Sequence, residues 1–176
     1  MIKNLHFIIF IFLISLLNAQ SFDSKGNLFL RNDYAVFFEE AYQTYPEIPR
    51  GYLEAFAYHN TRIHHNTKNN TTESCSQMPF YFGVMGLIEN GKNVFKNNLE
   101  TVSNLSGYSR KQIKENPRIN ILAFAKAYST LFQQNQFNSN STKNSYIQTL
   151  EKLSELPSNN NDDVYVRDIQ LYGILS

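Results

Sequence analysis

The sequence predicts a mainly α protein with long polar loops, and three observations carry that expectation. Apolar residues recur at three- and four-residue spacing over 34–57 and again over 119–132, the period of a helix face. No segment shows the sustained alternation of apolar and polar residues that a half-buried strand requires. Helix punctuation stands at matching places, with Pro46, Pro49, Gly107 and Pro117 at the edges of the periodic stretches.

Residues 1–19 are set apart from the fold as a signal peptide. Lys3 supplies a short positive start, 7–17 is an apolar run of Phe, Ile and Leu, and Ala19 is a small residue for cleavage before Gln20. The run is shorter than the ~20 apolar residues that a bilayer-spanning helix needs, so no membrane span is expected after cleavage. No cysteine stands near the cleavage point, which argues against a lipid anchor. The expected location is periplasmic or secreted.

The elements then follow in order. Asn32 or Asp33 is expected to cap a helix carrying Tyr34, Phe37, Phe38, Ala41 and Tyr42, with Pro46 ending it. Pro49 serves as an early position of a second helix, with Leu53, Phe56 and Ala57 apolar and its end near His59 and Asn60. Residues 61–77 are polar and aperiodic, a surface loop of a length that tends to be functional or disordered. An apolar segment bracketed by Gly83 and Gly86 follows. A helix is expected over 94–105, stopped by Gly107, and a short one capped by Ser109 ends before Pro117. The most apolar helix spans 119–132; a Gln/Asn/Ser-rich loop, 133–143, leads to a helix over 145–156. Residues 157–163 form a polar linker, and 164–175 turn apolar again.

Charge and cysteine content narrow the function classes. The net charge is +1 with both signs interspersed, so no electrostatic footprint for nucleic acid exists. Cys75 is the single cysteine, which excludes an intramolecular disulfide and a thiolate metal cluster. His59, His64 and His65 do not place two imidazoles on one helical face, and they read as polar residues at a helix end and in a loop. No metal and no cofactor are expected.

Four stretches, in order, carry a family resemblance. They are Ile48-Pro49-Arg50-Gly51-Tyr52-Leu53-Glu54-Ala55-Phe56-Ala57, then Gly83-Val84-Met85-Gly86-Leu87-Ile88-Glu89, then Leu105-Ser106-Gly107-Tyr108, then Pro117-Arg118-Ile119-Asn120-Ile121. Together they resemble the lysozyme-like core of the lytic transglycosylases, whose helix ends in a catalytic Glu-Ser pair. In that family a Gly-x-x-Gly-Leu-Met-Gln turn and a Pro-x-x-Asn-Ile helix follow. The resemblance implies a lysozyme-like helical domain over 28–132, followed by a low-complexity loop and short helix over 133–163. The 164–176 helical segment is then expected to lead into a further domain absent from this chain.

The chain departs from the family where the catalytic carboxylate belongs, because Asn60-Thr61 stands in place of Glu-Ser. An amide has no proton to give a glycosidic oxygen. Glu73, followed by Ser74 and lying ahead of Gly83, is the carboxylate that would act as general acid if the loop folds back. By the resemblance, Asn60, Gly83, Met85, Gly86, Glu89, Tyr81, Tyr108, Asn120 and Tyr128 would line the substrate groove. Tyr81 and Tyr108 sit beside glycine-marked turns, suited to stacking on sugar rings. Glu54 is expected to face solvent. The implied partner is the peptidoglycan glycan strand, recognised and, if Glu73 reaches the cleft, cleaved. The alternative is a non-catalytic binding or envelope-scaffold module, such as the front part of a cell-wall N-acetylmuramoyl-L-alanine amidase.

Overall fold

The computed structural model describes residues 25–67, 79–89, 95–135 and 143–155, with the side chains of 25–32 and 143–144 left aside. The expected signal peptide over 1–19, Glu73, Cys75 and the 164–176 segment lie outside these residues. The fold is mainly α: helices α1 (Lys25–Thr44), α2 (Tyr52–Thr61), α3 (Asn98–Ser106), α4 (Arg110–Glu115), α5 (Pro117–Gln134) and α6 (Lys143–Leu153). Among the described residues, β-structure is limited to the isolated antiparallel bridges Asn66–Gly83 and Phe82–Leu87.

Helix α5 is the axis of the assembly and packs against α1, α3, α4 and α6. Residues 120–125 and 127–129 are buried, and Lys126 is exposed among them. A helix this apolar around its circumference has its place at the centre of a fold. Phe124 meets Phe56 of α2 with ring centroids 4.6 Å apart, and Ile121, Leu53, Leu99, Val102 and Ile113 belong to the same buried core. Asn116 caps α5 by accepting from Ile119 N at 3.1 Å, and Pro117 opens it, where a missing N–H is harmless.

Several predicted boundaries move. Helix α1 begins at Lys25, so Asn32 and Asp33 lie within it rather than at its cap; Asp33 is exposed and costs the helix little there. Pro49 stays in the turn before α2, which starts at Tyr52 behind Gly51 at φ 91°. Gly51 has no side chain to cap with, and the Tyr42 hydroxyl does that work, accepting from Gly51 N at 2.9 Å and Leu53 N at 3.2 Å. The same hydroxyl donates to the Glu54 carboxylate, so Glu54 is held against α1 and does not simply face solvent. Helix α3 starts at Asn98 rather than 94, because Asn97 caps it and the Lys96 backbone N–H is committed to Glu155 O at 2.6 Å. Ser109 forms the expected cap of α4, a reciprocal box with Gln112.

Candidate functional site

The segment 82–88 is where the distant parts of the chain meet. Phe82 and Leu87 exchange backbone hydrogen bonds, each 2.8 Å, and so close a tight loop over residues 83–86. Gly83 and Gly86 take φ of 71° and 68°, the left-handed region that disfavours a side chain. Both are also sterically required. A Cβ on Gly83 would lie 2.0 Å from Asn120 Nδ2, and one on Gly86 would lie 2.5 Å from Asn60 Cβ.

The loop is held from three helices. From the end of α2, Asn60 Nδ2 donates to Met85 O at 3.2 Å and Thr61 Oγ1 donates to Val84 O at 2.6 Å. From α5, Asn120 Oδ1 accepts from Met85 N at 2.7 Å while its Nδ2 donates to Ile113 O at 3.0 Å. From α3, Asn98 Oδ1 accepts from Ile88 N at 2.7 Å, and Asn98 Nδ2 donates to Leu153 O at 2.9 Å. Gly83 N adds a bond to Asn66 O at 2.8 Å. Asn120 and Asn98 are buried and bonded through both ends of the amide, the condition under which a buried amide stabilises a fold.

The helix that delivers Asn60 and Thr61 ends under strain. Arg62 and Ile63 take φ of 57° and 60°, a left-handed pair of non-glycine residues, and Ile63 is buried. Such backbone costs about 1–3 kcal/mol per residue and persists only where its surroundings enforce it. Arg62 lies over the Tyr58 ring, 4.8 Å from its centroid, and its guanidinium donates to Tyr58 O at 2.8 Å. Tyr58 is 50% exposed, so the end of α2 offers solvent an aromatic ring with a cation beside it.

Charged groups reach the turn from other elements. Glu89 pairs with Lys114 of α4 at 2.8 Å, and the Lys114 ammonium also stands 5.1 Å from the Phe82 ring centroid. The buried Glu155, just past α6, accepts from the Tyr81 hydroxyl at 3.3 Å. Burial, and then the Glu155 charge, push the Tyr81 phenol well above its ordinary range. Half-burial lowers the His59 imidazole, against the opposing pull of Glu155. Among the described residues no helix is long and apolar enough to cross a membrane, and no three His, Cys, Asp or Glu gather to hold a metal.

The residues singled out in the sequence divide accordingly. Asn60, Tyr81, Gly83, Met85, Gly86, Glu89 and Asn120 come together. Met85 and Asn120 are fully buried, so they hold the loop and present no side chain to a groove. Tyr128 is a correction: its ring is fully buried on α5, stacked 6.2 Å from Phe132, with its hydroxyl on Tyr146 O. Tyr108 is tied to α3, its carbonyl accepting from Ser103 Oγ at 2.7 Å. Sequence reasoning passed over Asn98, Lys114 and Glu155. Asn98 hides in an asparagine-rich chain, and nothing local marks the other two as partners of a distant turn. No family model, curated protein or solved structure matches this chain.

Proposed function

We propose that this chain is an exported, lysozyme-like module that recognises peptidoglycan glycan strands, and that it holds the glycan without cleaving it at the helix-end position. The observation that carries the reading is the meeting of Asn60, the 83–86 loop and Asn120. The loop and Asn120 lie in two of the stretches that bear the transglycosylase resemblance, Asn60 stands just past a third, and the fold brings them within hydrogen-bonding distance. The position at which that family carries its acid is here an amide committed to Met85 O, with no proton to donate. Tyr58 with Arg62, both near the end of α2, and the half-buried Asn60, His59 and Tyr81 are the aromatic and polar groups available to a sugar strand.

Sedimentation of the protein with purified sacculi tests this. The protein should pellet with the sacculi and release no soluble anhydro-muropeptides, and Tyr58→Ala should weaken pelleting about tenfold, the worth of one aromatic contact. Release that disappears in Glu73→Gln would instead establish a transglycosylase with its acid in the 68–78 stretch. Neither pelleting nor release would replace the glycan reading with that of a protein-interaction module of the envelope.

A further inference from the structure

Glu155 stands just past α6, outside the stretches that carry the family resemblance, yet its carboxylate reaches the glycine turn through Tyr81. Its place is fixed by three ties to the residues around the start of α3. Lys96 N donates to Glu155 O at 2.6 Å, Lys96 Nζ to Glu151 O at 3.1 Å, and Asn98 Nδ2 to Leu153 O at 2.9 Å. Asn98 Oδ1 also accepts from Ile88 N at 2.7 Å, so the end of α6 and the turn share an anchor. Glu155 is 1% exposed, and a carboxylate is costly to take out of water.

Tyr81 is held at its edge and at its hydroxyl. The hydroxyl donates to Glu155 Oε1 at 3.3 Å. A Cβ on Gly86 would lie 3.2 Å from Tyr81 Cδ1 and 2.5 Å from Asn60 Cβ, so the ring packs on the turn beside Asn60 in space that a glycine leaves. The flanking rings of Phe80 and Phe82 pair with each other, centroids 4.7 Å apart. Burial and the Glu155 charge keep the Tyr81 phenol protonated well beyond its ordinary range, so it remains a donor to that carboxylate. With the hydroxyl committed and the residue only half-buried, Tyr81 has ring surface to offer a ligand.

We propose that Glu155 is the positioning residue of the glycan site, holding the Tyr81 ring beside Asn60 and Gly86 as a platform for the apolar face of a sugar. This role rests on the glycan reading above. A ring already fixed at its edge and its hydroxyl has little freedom left to lose on binding, which is how pre-organisation adds affinity. Glu155 touches no sugar itself and acts through Tyr81. The end of α6 thereby belongs to the site, although it lies beyond the part of the chain that resembles the transglycosylases.

Pelleting of the purified full chain over a range of sacculus concentrations is the test. Tyr81→Leu should weaken binding about tenfold, and Glu155→Leu by a comparable factor. Glu155→Gln keeps an oxygen that accepts from the Tyr81 hydroxyl, and should stay within about twofold of the unmodified protein. The double variant Tyr81→Leu/Glu155→Leu should bind no more weakly than Tyr81→Leu alone, as expected when one residue acts through the other. Tyr81→Phe keeps the ring and loses its tether, for an expected loss of about threefold, and it decides the question if Glu155→Leu fails to fold. Circular dichroism of each variant checks that the helices persist. Undiminished binding by a folded Glu155→Leu or by Tyr81→Phe, additive losses in the double variant, or a loss in Glu155→Gln equal to that in Glu155→Leu would overturn the positioning role and leave the glycan reading standing. Failure of the unmodified protein to pellet would overturn both.

Discussion

At the residue scale the governing pairs are Gly83 with Asn120 and Gly86 with Asn60. Each pair combines a left-handed backbone with an amide packed where a Cβ would go. Gly83→Ala and Gly86→Ala should each destabilise the fold by about 2–4 kcal/mol, adding left-handed strain to a collision. Urea denaturation measures this. Asn120→Ala should also destabilise, since it strands Met85 N and Ile113 O. The double variant Gly83→Ala/Asn120→Ala should then fall short of additivity by about 1 kcal/mol, because the amide that the new methyl strikes is gone. Strict additivity would mean that the backbone conformation alone, and not the contact, demands the glycine. The glycine bracket was legible in the sequence, as were Asn60 and Asn120. Their pairing was not, because residues 25 and more positions apart leave no local mark of contact.

At the element scale, α2 is short and depends on its ends. Its start is capped by a phenol from α1, and its exit is the strained Arg62–Ile63 pair. Tyr42→Phe keeps the ring and removes one oxygen, leaving Gly51 N, Leu53 N and the Glu54 carboxylate to find new partners. The expected loss is about 2 kcal/mol, with amide exchange at the start of α2 accelerated more than in α5; uniform acceleration would contradict a local capping role. Periodicity reveals that α2 exists and which face it buries, since Leu53, Phe56 and Ala57 are all in the core. It cannot reveal a cap donated from another helix. For the same reason Pro49, a plausible helix opener by type, lies in the turn instead, and the run starting at 94 yields to the cap at Asn97.

At the scale of the whole molecule, two histidines tie stability to acidity. Burial lowers both His59 and His65 from the ordinary 6.5, so each is held neutral in the fold. The unfolded chain binds protons at these sites before the folded one does. Their contribution is therefore fully present above pH 6.5 and declines as the pH falls below it. Urea midpoints should drop between about pH 7.5 and about pH 5.5, and the drop should shrink in the His59→Asn/His65→Asn variant. An unchanged pH dependence there would move the effect to other groups. The mainly α class follows from helical periodicity and the absence of alternation. A buried ring such as Tyr128, in contrast, reads like a groove ring in sequence, because residue type does not say which side of a central helix meets solvent.

The anchoring of the 82–88 loop also has a kinetic consequence. Its ties to Asn98, Asn60 and Asn120 span 10, 25 and 35 residues, and its own closure is a single pair of backbone bonds. A loop with so little local support gains its bonds only after α2, α3 and α5 have docked, when the closure entropy of the intervening chain has been met. The glycine turn should thus be among the last parts to form. Substitutions there would speed unfolding and leave the folding rate nearly untouched, whereas Phe124→Ala, in the helix contact that precedes it, would slow folding itself.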